Sequence, residues 1–146
     1  PGIRYGLASR GRAKGAAMSD HTRESLAERT VTFLAAFNDV DLNGVMSHFA
    51  DDGIYEEFNG RESKGQDAVR AALTPQFDGV FGDMKFIDED LMIDAETGKV
   101  MASWRCTLDV KGEATSWRGL DAMTFNTDGK ITHKLTYAKT KAPLFE

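Results

Sequence analysis

Residues 100–125 read VMASWRCTLDVKGEATSWRGLDAMTF, and this stretch decides the architecture. Successive side chains of a strand point to opposite faces, so a two-residue period is the mark of a sheet. Ala102, Trp104, Cys106, Leu108 and Val110 alternate with Met101, Ser103, Arg105, Thr107 and Asp109. Past the turn at Lys111-Gly112-Glu113, a second run sets Trp117, Gly119, Asp121, Met123 and Phe125 on one face. Two long runs joined by a short glycine turn predict an antiparallel hairpin. Asp121 is the exception within its apolar row. A mid-strand carboxylate facing inward is either paired or useful.

Working outward, the same period predicts strands over about 84–93, 99–110, 113–125 and 130–139, separated by ETGK, KGE and NTDGK. Upstream of Gly82 the period becomes helical. Leu26, Thr30, Phe33 and Phe37 share a stripe between about Thr22 and Asn38, with Arg23, Glu24, Glu28 and Arg29 on the wet side. Asp41 is suited to cap a second helix bearing Leu42, Val45, Met46 and Phe49, which Gly53 would end in a left-handed turn. Gln66 to Phe77 predicts a third, bent or stopped near Pro75. A short strand at 54–58 is expected near an edge of the meander. Helices first and a four-stranded antiparallel meander after them make the fold α+β. Within the short strand lie Glu56 and Glu57, of which one faces inward. Alternation leaves open whether Tyr55 and Glu57, or Ile54, Glu56 and Phe58, take that side.

The chain of 146 residues, with 41% hydrophobic and 28% charged residues, suits one domain with one core. Residues 1–17 carry Arg4, Arg10, Arg12 and Lys14 without an acid and precede Met18, which reads as a natural start. They are expected to be a basic Gly/Ala/Arg tail of vector or upstream origin, with 18–146 as the single domain. The net charge is −5 despite that tail. An acidic body lacks the basic footprint nucleic acid demands, and no apolar run reaches bilayer length, so neither partner is expected and the location is read as cytoplasmic. The lone Cys106 excludes an internal disulfide. With no Cys/His ligand spacing and no phosphate-binding Gly-Lys-Ser/Thr loop, no metal and no cofactor is expected. The strands carry apolar residues on both faces, among them Met101, Leu135 and Tyr137. A sheet that covers helices on one side and stays apolar on the other is expected to bury the outer face in a homodimer.

FLAAFNDVDLNGV (33–45), HFADDGIYEEF (48–58), KGQDAVRAAL (64–73) and GLDAMTFNTDGKI (119–131), in that order, resemble the nuclear transport factor 2-like superfamily, and within it the SnoaL-like and ketosteroid isomerase-like proteins. The resemblance spans roughly residues 22–140. It implies a cone-shaped, cystatin-like α+β barrel, in which a curved and mostly antiparallel sheet wraps three N-terminal helices around a deep apolar pocket. It also places Glu57 where the isomerases carry their carboxylate base. Asp121 falls on their protonated, oxygen-binding aspartic acid, and Phe33 on their oxyanion-hole tyrosine. Phe33 is a departure, since a phenyl ring donates no hydrogen bond. Phe33, Phe37, Tyr55, Trp104, Cys106, Leu108, Trp117, Met123, Phe125 and Thr136 are the implied pocket residues.

The chemistry read from the residues agrees with that placement. Moving a proton next to a carbonyl needs an ionised carboxylate and a donor at the developing oxyanion. Glu57, beside the Asn59-Gly60 turn, is expected to be wet and ionised. Asp121, among Trp117, Met123 and Phe125, sits where the charged form is disfavoured and would serve as the donor. This predicts an isomerase or cyclase acting on an apolar carbonyl compound. The alternative is a non-catalytic ligand-binding or dimerisation module, for which Phe33 is the best argument. Epoxide hydrolysis ranks third: it needs an arginine bridging two carboxylates, whereas two residues beyond Arg105 stands Thr107 and at the other position Thr136. Trp104 and Tyr55 are candidates for the donor that Phe33 lacks. His133 is read as an outer-face histidine, His48 as a helix-end residue, Cys106 as a small apolar wall residue, and Arg105 and Arg118 as outward-pointing.

Overall fold

The computed structural model describes residues 21–139; the basic segment 1–17 lies outside them. Helix α1 (Arg23–Asn38) starts at Thr22, whose hydroxyl accepts from the Ser25 amide while Ser25 answers to the Thr22 amide, a reciprocal cap. Asp41 caps the short α2 (Leu42–Ser47) through the Gly44 amide at 2.9 Å. Strands β1 (Phe49–Glu56) and β2 (Glu62–Lys64) follow, then α3 (Gln66–Leu73) and a 3₁₀ turn (Thr74–Gln76). The chain finishes with β3 (Lys85–Asp94), β4 (Lys99–Val110), β5 (Glu113–Phe125) and β6 (Ile131–Lys139).

The six strands form one curved sheet in the order β2-β1-β6-β5-β4-β3, antiparallel throughout except for β1 alongside β6. The cone is packed at one end and hollow at the other. Leu26, Phe33, Val45, Met46 and Phe49 meet Val100, Met123, Phe125 and Ile131 in the packed end. A second cluster, Trp104, Cys106 and Leu108 with Trp117 and Phe86, lines the wide end. The α+β class and the cone expected from the sequence are both present.

Two local expectations are corrected. Gly53 does not end a helix: α2 stops at Ser47, and residues 49–56 are one continuous strand. The register slips between Phe49 and Ile54, so that Phe49 pairs with Ile131 and Ile54 with His133. Gly53 sits in that bulge, where a Cβ would meet the Ile131 carbonyl at 3.0 Å and the Ala50 carbonyl at 3.1 Å. Its role is close approach. The third helix also ends earlier than Phe77, tightening at Leu73 into the 3₁₀ turn that contains Pro75.

Candidate functional site

The hollow end holds a cavity of about 410 Å³, within the range of small-molecule sites. Its wall is largely aromatic: Phe37, Tyr55, Phe58, Phe81, Phe86, Trp104 and Trp117. Polar groups reach it from Glu57, Gln76, Asp121, Lys134 and Thr136.

Asp121 is the centre of a buried network. β5 places it opposite Thr136 of β6, whose hydroxyl donates to its Oδ1 at 2.7 Å. Trp104, one strand over on β4, donates its indole N–H to Oδ2 at 3.1 Å. Lys134 completes the group, with Nζ 3.1 Å from Oδ1 of Asp121 and donating to Thr136 Oγ1 at 2.8 Å. Asp121 and Lys134 are 3% and 4% exposed, so this is an interior ion pair. Asp121 thus accepts from three donors, where the sequence reading expected a lone protonated donor. The cause is Lys134, which the alternation of β6 sends to the same face as Thr136.

Burial alone would push Lys134 toward the neutral amine. The neighbouring Asp121, Tyr55 and Glu57, the Asp121 carboxylate foremost, together with the hydrogen bond to Asp121, outweigh it, and the ammonium is held above the ordinary lysine value. The Tyr55 ring lies 4.5 Å from Nζ and adds a cation–π contact. The sequence alone does not mark Lys134 as a site residue. Its signal lay in the period of β6, where Thr132, Lys134, Thr136 and Ala138 share a face.

Glu57 follows directly on β1, its amide donating to the Arg61 carbonyl at 2.9 Å in the turn toward β2. Tyr55 and Glu57 both line the cavity, and so does Phe58, because β1 ends at Glu56 and strict alternation stops there. Glu57 makes no ion pair with Arg61 or Lys64 among the described residues, and its Oε2 is buried without a hydrogen-bond partner. An uncompensated carboxylate oxygen beside an apolar cavity is costly to keep.

Of the other implied pocket residues, Phe37, Tyr55, Trp104, Cys106, Leu108, Trp117 and Thr136 line the cavity. Phe33, Met123 and Phe125 do not. They belong to the packed end, and the Phe33 ring is enclosed by Phe37, His48 and Phe49 at 5.2–5.8 Å between centroids. Position 33 is therefore core, and the polar end of the cavity is built from β1, β4, β5 and β6 instead. Burial pushes the Cys106 thiol up to about 12, which makes it an inert wall residue. His133 is exposed on the outer face, and Arg118 pairs there with Glu89. No cluster of three metal-ligating side chains occurs among the described residues.

Gly119 permits the Trp104 geometry. The two are cross-strand partners, and a Cβ on Gly119 would stand 2.5 Å from Trp104 Cη2 and 2.4 Å from the Tyr137 carbonyl. The bare backbone lets the indole lie across β5 and aim its N–H at Asp121.

A family model described as a SnoaL-like domain matches residues 30–134. No curated protein sequence matches the chain. Among solved structures, the fold is similar to the epoxide hydrolase/cyclase-like enzyme SalBIII of pyran ring formation in salinomycin, at 15% identity over 84% of this chain and 95% of that one, with a TM-score of 0.73. A proposed polyketide cyclase from Xanthomonas campestris pv. campestris shares 19% identity over 79% and 90% of the two chains, with a TM-score of 0.71. A Mycobacterium tuberculosis protein in complex with estradiol-17beta-hemisuccinate shares 17% identity over 77% and 92%, with a TM-score of 0.67. At these identities the likeness is one of fold.

Proposed function

The chain belongs to the SnoaL-like domain family, and from that premise we propose that it is an acid–base enzyme of the isomerase or cyclase type acting on an apolar carbonyl-containing small molecule. The observation that carries this reading is the pairing of an unpartnered Glu57 oxygen with the Asp121 network in one aromatic cavity. Glu57 takes a proton from the carbon next to the carbonyl, and the C–H electrons move onto the carbonyl oxygen. The Asp121 network is the end that meets this oxygen. The enolate is then reprotonated at another carbon, or its carbon attacks a second carbonyl to close a ring; in either case the proton held by Glu57 is returned. An aromatic wall excludes water and strengthens each of these charge contacts. That the Mycobacterium tuberculosis neighbour binds a steroid ester and that SalBIII forms a ring supports an apolar, carbon-rich ligand.

A panel of apolar ketones assayed with wild type and Glu57→Gln tests the reading. Turnover by wild type that disappears in a variant still able to bind supports it. Equal turnover by both proteins sinks Glu57 as the base.

A ligand-binding module without chemistry is the second reading, favoured by one observation: all three of Asp121's contacts are internal, as in a structural ion pair. Epoxide hydrolysis stays third, because no arginine is among the residues lining the cavity. For the outer sheet face we propose homodimerisation, supported by the exposure of Ile87, Met92, Met101 and Tyr137 on strands β3, β4 and β6.

A further inference from the structure

Resting on the acid–base reading above, we infer that Lys134 is the group that touches the substrate's oxygen anion, with Asp121 and Thr136 as positioning residues, and that the cavity therefore selects apolar molecules presenting an enolate or phenolate oxygen. The argument is a count of donors within the Asp121 network; Tyr55 and Gln76 line the cavity outside that network. Asp121 gives none: Oδ1 accepts from Thr136 and Lys134, and Oδ2 accepts from Trp104. The Thr136 hydroxyl proton and the Trp104 N–H are both occupied by Asp121. An ammonium carries three N–H bonds. Two are met by Asp121 and Thr136, and the third has no protein oxygen among the described residues.

Lys134 lines the cavity, and its position is over-determined. β1 on one side sets Tyr55 as its register partner, and β5 on the other sets Met123. The charged and titratable groups around it are Asp121 from β5, Tyr55 from β1 and Glu57 just beyond β1. Two carboxylates against one ammonium leave no surplus positive charge, so a permanently anionic tail such as a sulfonate is disfavoured. An oxygen that becomes negative only as Glu57 takes a proton from the same molecule, from the carbon next to a carbonyl or from a phenol hydroxyl, is suited to the site, because that transfer neutralises one carboxylate as it creates the anion. A fixed cation in a dry cavity then stabilises the anion more than the neutral carbonyl before it, which is what lowers a barrier.

The test is an equilibrium titration of β-naphthol, a fluorescent stand-in for an enol, into wild type, Lys134→Met, Lys134→Gln and Tyr55→Phe. The readout is the pH at which the bound naphthol ionises. In wild type and Tyr55→Phe it is expected to ionise about 1–3 pH units below its value in water, the shift an adjacent opposite charge produces. In Lys134→Met that shift is lost. Lys134→Gln keeps a neutral donor beside Asp121, so it guards against a variant that fails to fold; it too is expected to lose the shift. Either folded Lys134 variant ionising naphthol as wild type does would overturn the assignment, as would loss of the shift in Tyr55→Phe. Wild type that fails to bind naphthol, or binds it unshifted, overturns it as well. Because no turnover is needed, the two readings separate: an ionised naphthol with no catalysis on ketones supports Lys134 and sinks the enzyme, and the reverse sinks Lys134 alone.

Discussion

At the scale of single residues, the buried pair of Asp121 and Lys134 sets the character of the site. Each ion is worth keeping only while the other is present, because an unpaired charge in the interior loses its hydration with nothing in return. Asp121→Leu is therefore expected to cost about 3–5 kcal/mol of stability through the orphaned Lys134 ammonium. The double change Asp121→Leu with Lys134→Met, which removes both charges, is expected to recover most of that loss. Urea unfolding followed by tryptophan fluorescence measures both, and a single variant as stable as wild type would show that the pair is not a closed interior contact. Asp121 was legible in the sequence because it interrupts an apolar row. Lys134 was harder, because its neighbours on that face, Thr132 and Thr136, are polar and a lysine among threonines reads as a wet face. Phe33 misled for another reason: its pocket position was implied by the resemblance, and its helical stripe tells only which face is buried, not whether that face meets the core or a cavity.

At the scale of elements, strand period carried the four long strands nearly to their ends, since each is long and bounded by a glycine turn. The eight residues of β1 were harder. Asp51-Asp52-Gly53 has the composition of a turn, and only the parallel pairing with β6 and its bulge turn it into strand. The placement of Trp104 depends on the same kind of tertiary fact. Gly119→Ala is expected to displace the indole from Asp121, shift tryptophan emission and weaken naphthol binding several-fold, an effect of order 1 kcal/mol for a hydrogen bond made imperfectly. Emission and affinity equal to wild type would contradict that role. At the end of α2, His48 is held below the ordinary histidine value of 6.5 by its burial, then by Lys130 and Arg29. The unfolded chain takes up a proton before the folded one does, so this contribution is intact above that value and is lost as pH falls beneath it. Thermal unfolding from neutral pH to about pH 5 is expected to show a smaller fall in Tm for His48→Asn than for wild type. An identical fall in both would remove His48 from the account.

At the scale of the whole molecule, the cone uses one sheet for two tasks. The concave face carries the packed core and the cavity, while the convex face leaves Ile87, Met92, Met101 and Tyr137 46–59% exposed. If that face joins two copies, a charge at its centre opposes association. Met101→Glu is expected to shift the protein from dimer to monomer in sedimentation at micromolar concentration, while leaving the cavity intact. A wild-type protein that sediments as a monomer would contradict this use of the convex face. The domain class was readable from the order of the periods, helical first and two-residue afterwards, because that order alone forces helices onto one side of a meander. The cavity was not readable in that way, since it depends on where the inward rows stop meeting one another. Its wall draws Leu34 and Phe37 from α1, Ala72 from α3 and Trp104, Asp121 and Thr136 from three different strands, and no local pattern marks where they leave a space.

The proposed proton abstraction is most directly tested by proton exchange. The α-protons of β-tetralone, an apolar bicyclic ketone, would be followed by NMR in deuterated buffer at neutral pH with wild type and with folded Glu57→Gln. The account predicts exchange well above the buffer rate with wild type and a fall of at least about a hundredfold with Glu57→Gln, the usual worth of a positioned base. Exchange by wild type no faster than in buffer, or equally fast in the two proteins, would contradict it.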